Sequence, residues 1–326
     1  MSVFQKLARP AILAASRSDT LRRTAERMPV TRDVVHRFVP GETIDDVMGS
    51  VAVLRDSRRF VSIDYLGEDV TDVEAATATV QAYLDLLDAL ERRGEAGPGS
   101  RPGGDIQQMP RSLEVSLKLS ALGQALPRDG EKIAMENAHT ICARARDVGA
   151  WVTVDAEDHT TTDSTLSIVR DLRTEFDWLG TVLQAYLKRS EGDCREFAES
   201  GARIRLCKGA YDEPASVAFR ERAEVTDSYL RCLRILMAGS GYPMVASHDP
   251  EIIDAVPAMV REFGRGIADY EYQMLYGIRD AEQRRLVDSS HVRVYVPFGT
   301  QWYGYFVRRL AERPANLAFF VRALVD

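Results

Sequence analysis

The sequence predicts an α/β fold, a closed (β/α)8 TIM-type barrel with an N-terminal helical extension, and three observations carry that expectation. Between residues 60 and 324, apolar strand-like runs alternate with helical stretches eight times. Such alternation implies parallel strands joined by crossover helices. No G-x-G-x-x-G follows a strand and no G-x-x-x-x-G-K-S/T occurs, which removes the Rossmann dinucleotide site and the P-loop. Polar residues also stand at six of the eight expected strand ends, the face on which such barrels carry their chemistry.

In chain order, residues 1–56 read as short helices with turns at Pro29, Pro40 and Gly41, polar enough to wrap a core rather than form one. Residues 57–326 read as the barrel. The strand runs are FVSIDYL, LEVSLKLS, WVTVDA, TVLQAYL, RIRLCKG, PMVASH, IADYEYQML and VRVYVPF. The helical stretches between and after them are 72–93, 131–147, 164–176, 191–200, 216–238, 251–263, 280–290 and 301–324. The Gly- and Pro-rich insert at 92–108 precedes the second strand, on the face away from catalysis.

Composition narrows the function. The 326 residues are 45% hydrophobic and carry a net charge of −7, ordinary for a soluble globular protein with a large core and unfavourable for a nucleic-acid binder, which must neutralise phosphates. Cys142, Cys194, Cys207 and Cys232 show no C-x-x-C spacing, so neither zinc nor a disulfide framework is indicated. No apolar run approaches the ~20 residues of a membrane span. The expectation is a cytoplasmic protein, with peripheral membrane contact left open.

Lys118, Asp155, Gln184, Lys208, His248 and Tyr295 are the strand-end residues. Lys118 alternates with Leu117 and Leu119, so its side chain is expected in the lumen, as an active group or as the partner of a carboxylate such as Asp155. Asp155 opens the run DAEDH, which has metal-site residue types, but FVSIDYL lacks the H-x-H of metal-dependent hydrolase barrels, so no metal is expected. Strand parity puts Arg205 and Lys208 on opposite faces, so one of them must lie past the regular strand. Gly209 beside them allows backbone to approach a ligand. The adjacent pair Arg308-Arg309 offers a fork suited to a carboxylate or phosphate, although a chain with 37 Arg and five Lys contains other such pairs by composition alone.

Several separated motifs agree in order: LKLSALG at 117–123, DAED at 155–158, QAYLKR at 184–189, RLCKGAY at 205–211, SHD at 247–249, YEYQMLYG at 270–277, then YVPFG at 295–299 and RRLAE at 308–312. With these in place the chain resembles the proline dehydrogenase family in its stand-alone bacterial form, over roughly residues 60 to 324. The resemblance implies an FAD-containing barrel that oxidises L-proline to 1-pyrroline-5-carboxylate, the first step of proline catabolism. Electrons would pass to a membrane quinone or another acceptor, and product to a separate 1-pyrroline-5-carboxylate dehydrogenase. It implies that Arg308, Arg309 and Lys118 clamp the substrate carboxylate and that Glu312 orients the arginines. Tyr295, Tyr211 and Leu275 would wall the proline ring, with Asp155 near Lys118 and Tyr295. Gln184, Arg205, Lys208, Gly209, Ala210, Tyr211 and His248 would hold the flavin. The sequence departs from the family pattern at Asp212, where Trp is common, at SHD, and at Cys207. Two other readings compete: a Schiff-base lyase using Lys118 or Lys208, and a non-catalytic sensor of an amino acid or flavin.

Overall fold

The computed structural model describes residues 35–68, 70–93 and 113–306. Eight parallel strands close on themselves in sequence order: β1 Phe60–Tyr65, β2 Leu113–Leu117, β3 Trp151–Val154, β4 Gly180–Gln184, β5 Arg203–Cys207, β6 Tyr242–Ala246, β7 Glu271–Leu275 and β8 His291–Phe298. Closure is made by β8 against β1, with Ser62 opposite Tyr295 and Tyr65 opposite Phe298. The expected barrel is therefore the observed one, with all eight strands where the alternation puts them.

Residues of one parity point outward. Val61 and Ile63 of β1, Val115 and Leu117 of β2, and Val292, Val294 and Val296 of β8 join the helix faces in one continuous apolar core. Around it lie α2 Val73–Arg92, α3 Gly130–Val148, α4 Thr162–Arg173, α5 Ser190–Glu199, α6 Arg222–Ala238, α7 Pro250–Glu262 and α8 Asp280–Val287. Their buried positions recur at helical spacing, as Val80, Tyr83, Leu87 and Leu90 do on α2. The helix before the barrel, α1 Ile44–Asp56, starts with a capping box between Thr43 and Asp46 and buries Val47, Met48, Val51 and Leu54 in the same core.

Because α1 packs on β1 and β8, it fills the outer-ring position beside the closing strand pair. The chain leaving β8 goes elsewhere. Trp302, Tyr303, Tyr305 and Phe306 form a second small apolar cluster with Val35, Phe38, Val39 and Leu66. Residues 302–306 are helical, at the start of the expected 301–324 helix, and the rest of that helix lies outside the described residues, as do the insert at 94–108 and residues 1–34.

Several elements are shorter than the sequence suggests, and two of them start late for a visible reason. β7 begins at Glu271 rather than at Ile267, because Asp269 accepts the Gly266 N–H at 2.6 Å and holds 266–269 in a turn. The helix expected from 216 begins at Arg222. The residues before it are diverted into bridging the β4–α5 loop, with Lys188 N–H donating to Val217 O at 2.9 Å and Phe219 N–H to Tyr186 O at 2.8 Å.

Candidate active site

A cavity of about 660 Å³ opens at the C-terminal ends of the strands. Its lining includes Lys118, Asp155, Gln184, Arg205, Lys208, Gly209, Ala210, Tyr211, His248, Leu275 and Tyr295, which are the expected site residues that fall within the described chain. Arg308, Arg309 and Glu312 lie outside it. Tyr305 lines the same cavity, three residues before Arg308 in the sequence.

The floor is a hydrogen-bonded cluster. Lys118 follows β2 directly and reaches into the lumen, as its parity requires. Its Nζ donates to Asp64 Oδ2 at 2.7 Å and to Tyr295 Oη at 3.2 Å, and stands 3.4 Å from Asp155 Oδ2. Tyr295 in turn donates to Asp155 Oδ2 at 2.8 Å. The other Asp155 oxygen accepts from Ser116 Oγ at 2.8 Å and from the Arg205 guanidinium. Tyr295 sits three residues inside the end of β8, so it is deeper in the lumen than a rim position.

These contacts set the charges. Burial disfavours the ammonium form of Lys118, but the Asp64 carboxylate, Tyr295 and Asp155 outweigh it and hold the lysine well above its ordinary range. Lys118 is therefore a fixed cation. A Schiff-base lysine needs the opposite shift, which argues against the lyase reading at this residue. Burial, then the neighbouring Asp155 and Asp64 charges, push the Tyr295 phenol well above its usual range, so it stays protonated and donates.

The strand-parity ambiguity at RLCKGAY resolves cleanly. Arg205 lies on β5 pointing inward, where it also meets Glu114 Oε1 at 2.7 Å and Ser62 Oγ at 3.0 Å. Lys208 lies past the strand, with Nζ bonded to Asp249 Oδ2 at 2.7 Å and Thr226 Oγ1 at 2.8 Å. Gly209 adopts φ +104°, and a Cβ there would come within 2.2 Å of the Tyr186 ring, so only glycine fits this turn. Gln184 Nε2 donates to Glu157 O at 2.7 Å, and His248 Nε2 accepts the Leu275 N–H at 2.9 Å. That acceptor role fixes the proton of a neutral His248 ring on Nδ1.

The DAEDH carboxylates diverge rather than converge. Asp155 serves Arg205 and Tyr295, Glu157 accepts from Ser120 Oγ at 2.6 Å and Ser120 N at 3.1 Å, and Asp158 accepts the Thr160 N–H at 2.8 Å. Sequence reasoning missed Asp64 and Glu157. Asp64 shares inward parity with Ser62 in FVSIDYL, a signal that was readable; Glu157 carried none beyond its place two residues after Asp155.

The polar cluster facing a cavity at the mouth of a closed (β/α)8 barrel defines the class: a barrel with its active site on the C-terminal face. The family follows from sequence comparison. The family model described as proline dehydrogenase matches residues 47–322. Proline dehydrogenase of Deinococcus radiodurans is 35% identical, with 99% of each chain covered. Proline dehydrogenase 1 of Bacillus subtilis (strain 168) is 35% identical over 97% of this chain and 99% of that one. Among solved structures, proline utilization A (PutA) from Bdellovibrio bacteriovorus inactivated by N-propargylglycine superposes with a TM-score of 0.76 at 25% identity, over 86% of this chain and 32% of that one. The chain belongs to the proline dehydrogenase family, whose activity is oxidation of proline. Among the described residues, no helix is long and apolar enough to cross a membrane.

Proposed function

We propose that this protein oxidises L-proline to 1-pyrroline-5-carboxylate with FAD as its cofactor. Electrons then pass to a quinone or another acceptor, and product passes to a separate 1-pyrroline-5-carboxylate dehydrogenase. The observation that carries the reading is the joined cluster of Lys118, Asp155 and Tyr295 on the cavity floor of a chain of this family. The cavity residues suit a flavin. Gly209 gives close backbone approach, Arg205 and Lys208 bring positive charge, and 660 Å³ is in the range of pockets that enclose small ligands. Gln184, Arg205, Lys208, Gly209, Ala210, Tyr211 and His248 would hold the group, and when bound it supplies an acceptor for the hydride leaving C5 of proline.

The chain's own residues supply binding and orientation. Proline is a small zwitterion with an apolar ring, so its site needs a cationic end and a close wall. Lys118 provides a permanent charge, which Arg308 and Arg309 extend into a carboxylate clamp, with Glu312 orienting the arginines. Tyr295, Tyr211 and Leu275 wall the ring. Asp155 holds the Tyr295 hydroxyl and, through Arg205, ties the wall to the floor. The test is the visible spectrum of the purified protein before and after anaerobic L-proline. A flavin band that proline bleaches is expected; colourless protein that takes up no FAD on reconstitution rules the proposal out.

A further inference from the structure

We propose that Asp64, at the end of β1, is a positioning residue of the substrate site, holding the Lys118 ammonium in place and keeping it charged. This rests on the reading of Lys118 as part of the carboxylate clamp.

Lys118 is faced from four elements. Asp64 and Glu68 come from β1 and the loop after it, Asp155 from the end of β3 and Tyr295 from β8, while Glu157 lies further along the β3–α4 loop and Arg205 of β5 stands behind Asp155. These are not equivalent partners. Asp155 is shared among Arg205, Ser116 and Tyr295, so much of its charge is already engaged. Glu68 stands 3.9 Å away and is the most exposed of the carboxylates, at 19%. Asp64 is 1% exposed and gives Lys118 a 2.7 Å bond. Among the described residues, no second cation bonds to Asp64.

The consequence is chemical. A substrate carboxylate entering the cavity is bound only if the amine it meets carries its proton, and burial by itself favours the uncharged amine. Asp64 is placed to reverse that preference. It also fixes the amine by a bond on the side of β1, leaving Tyr295, Asp155 and Glu68, at longer distances of 3.2, 3.4 and 3.9 Å, as the partners most easily exchanged for a ligand oxygen. Removal of the Asp64 charge with its shape kept therefore lets Lys118 lose its proton at a pH the wild-type site withstands.

The experiment uses the flavin-loaded full chain. Calorimetry gives the dissociation constant of cyclopentanecarboxylate, a ring carboxylate with no amine to titrate or oxidise, between about pH 6.5 and 9.5 for wild type, Asp64→Asn, Lys118→Met and the double variant Asp64→Asn/Lys118→Arg. KM and kcat for L-proline are measured alongside. In Asp64→Asn the dissociation constant relative to wild type should climb about tenfold per pH unit once Lys118 deprotonates, with KM following it and kcat changing far less. The climb should flatten in the double variant, because a guanidinium does not deprotonate in this range. Asp64→Ser replaces Asp64→Asn if the amide variant does not retain flavin. A ratio that stays flat with pH, while Lys118→Met weakens binding, overturns the role of Asp64. Wild-type binding by Lys118→Met overturns the clamp reading itself.

Discussion

Tyr295 joins the two halves of the site. Its hydroxyl accepts from Lys118 and donates to Asp155, while its ring faces the cavity. In the proposed substrate site its ring walls the C4 side of proline and should exclude a hydroxyl there, so the expected preference is for proline over trans-4-hydroxyproline. Tyr295→Ser should narrow that gap, mainly by losing proline efficiency, by about 10- to 200-fold in kcat/KM for a steric change of this size. Measuring kcat/KM for both substrates in both proteins decides it: an unchanged ratio means that Tyr295 does not set the preference. Lys118, Asp155 and Tyr295 were legible in the sequence because polar side chains at barrel strand ends have few structural explanations. The inward parity of Asp64 was readable in FVSIDYL, but parity alone does not show that Lys118, just past the next strand, is its partner.

At the scale of elements, the eight strands were legible because period and connection length both repeat, whereas the β5–α6 loop was not. Helical composition from 216 onward hides the bridge to the β4–α5 loop, a long-range pairing that local pattern does not encode. The same limit hid Glu157, whose carboxylate ties the loop after β2 to the loop after β3. Its carbonyl also takes Gln184 at the end of β4, so three strand ends meet at one residue. Burial pushes its carboxyl up to about 7. A folded value above the unfolded one means that the native state binds the proton more tightly, so Glu157 costs stability as pH rises from about 4.5 towards 7 and beyond. Glu157→Gln keeps an acceptor for Ser120 N–H and a bond to Ser120 Oγ without the charge. It should therefore match wild type near pH 4.5 and exceed it at pH 8 by up to about 3 kcal/mol in unfolding titrations, with little change in kcat/KM. Glu157→Ala should lower kcat/KM on the order of 10- to 100-fold through displaced loops. Equal activity of the alanine variant would mean that the clamp does not position the site.

Across the whole molecule, the lumen is filled by charge rather than by the branched apolar layers usual in such barrels. Among the described residues, the buried carboxylates Asp64, Glu114, Asp155 and Glu271 face the cations Lys118, Arg203, Arg205 and Arg293. Arg203 also stacks on Trp151, with its guanidinium carbon 3.6 Å from the ring centroid. Glu114 is the hinge of this balance, accepting from Arg203, from Arg205 at 2.7 Å and from Ser62 at 2.6 Å. Burial would raise its carboxyl, but Arg293, Arg203 and Arg205 together hold it well below the usual range. A depressed folded value gives stability that is present above the unfolded value of about 4.5 and is lost as pH falls towards the folded one. Glu114→Gln leaves two buried guanidiniums short of counter-charge and should cost about 3–5 kcal/mol at pH 7. Denaturant melts of wild type and variant between pH 7 and pH 3 should show that deficit constant down to about pH 4.5 and shrinking below it, as Glu114 of the unfolded wild-type chain takes up a proton that the folded protein still refuses. A deficit that persists undiminished at pH 3 would place the cost in packing rather than charge, and no deficit at pH 7 would mean that the lumen arginines are balanced without Glu114.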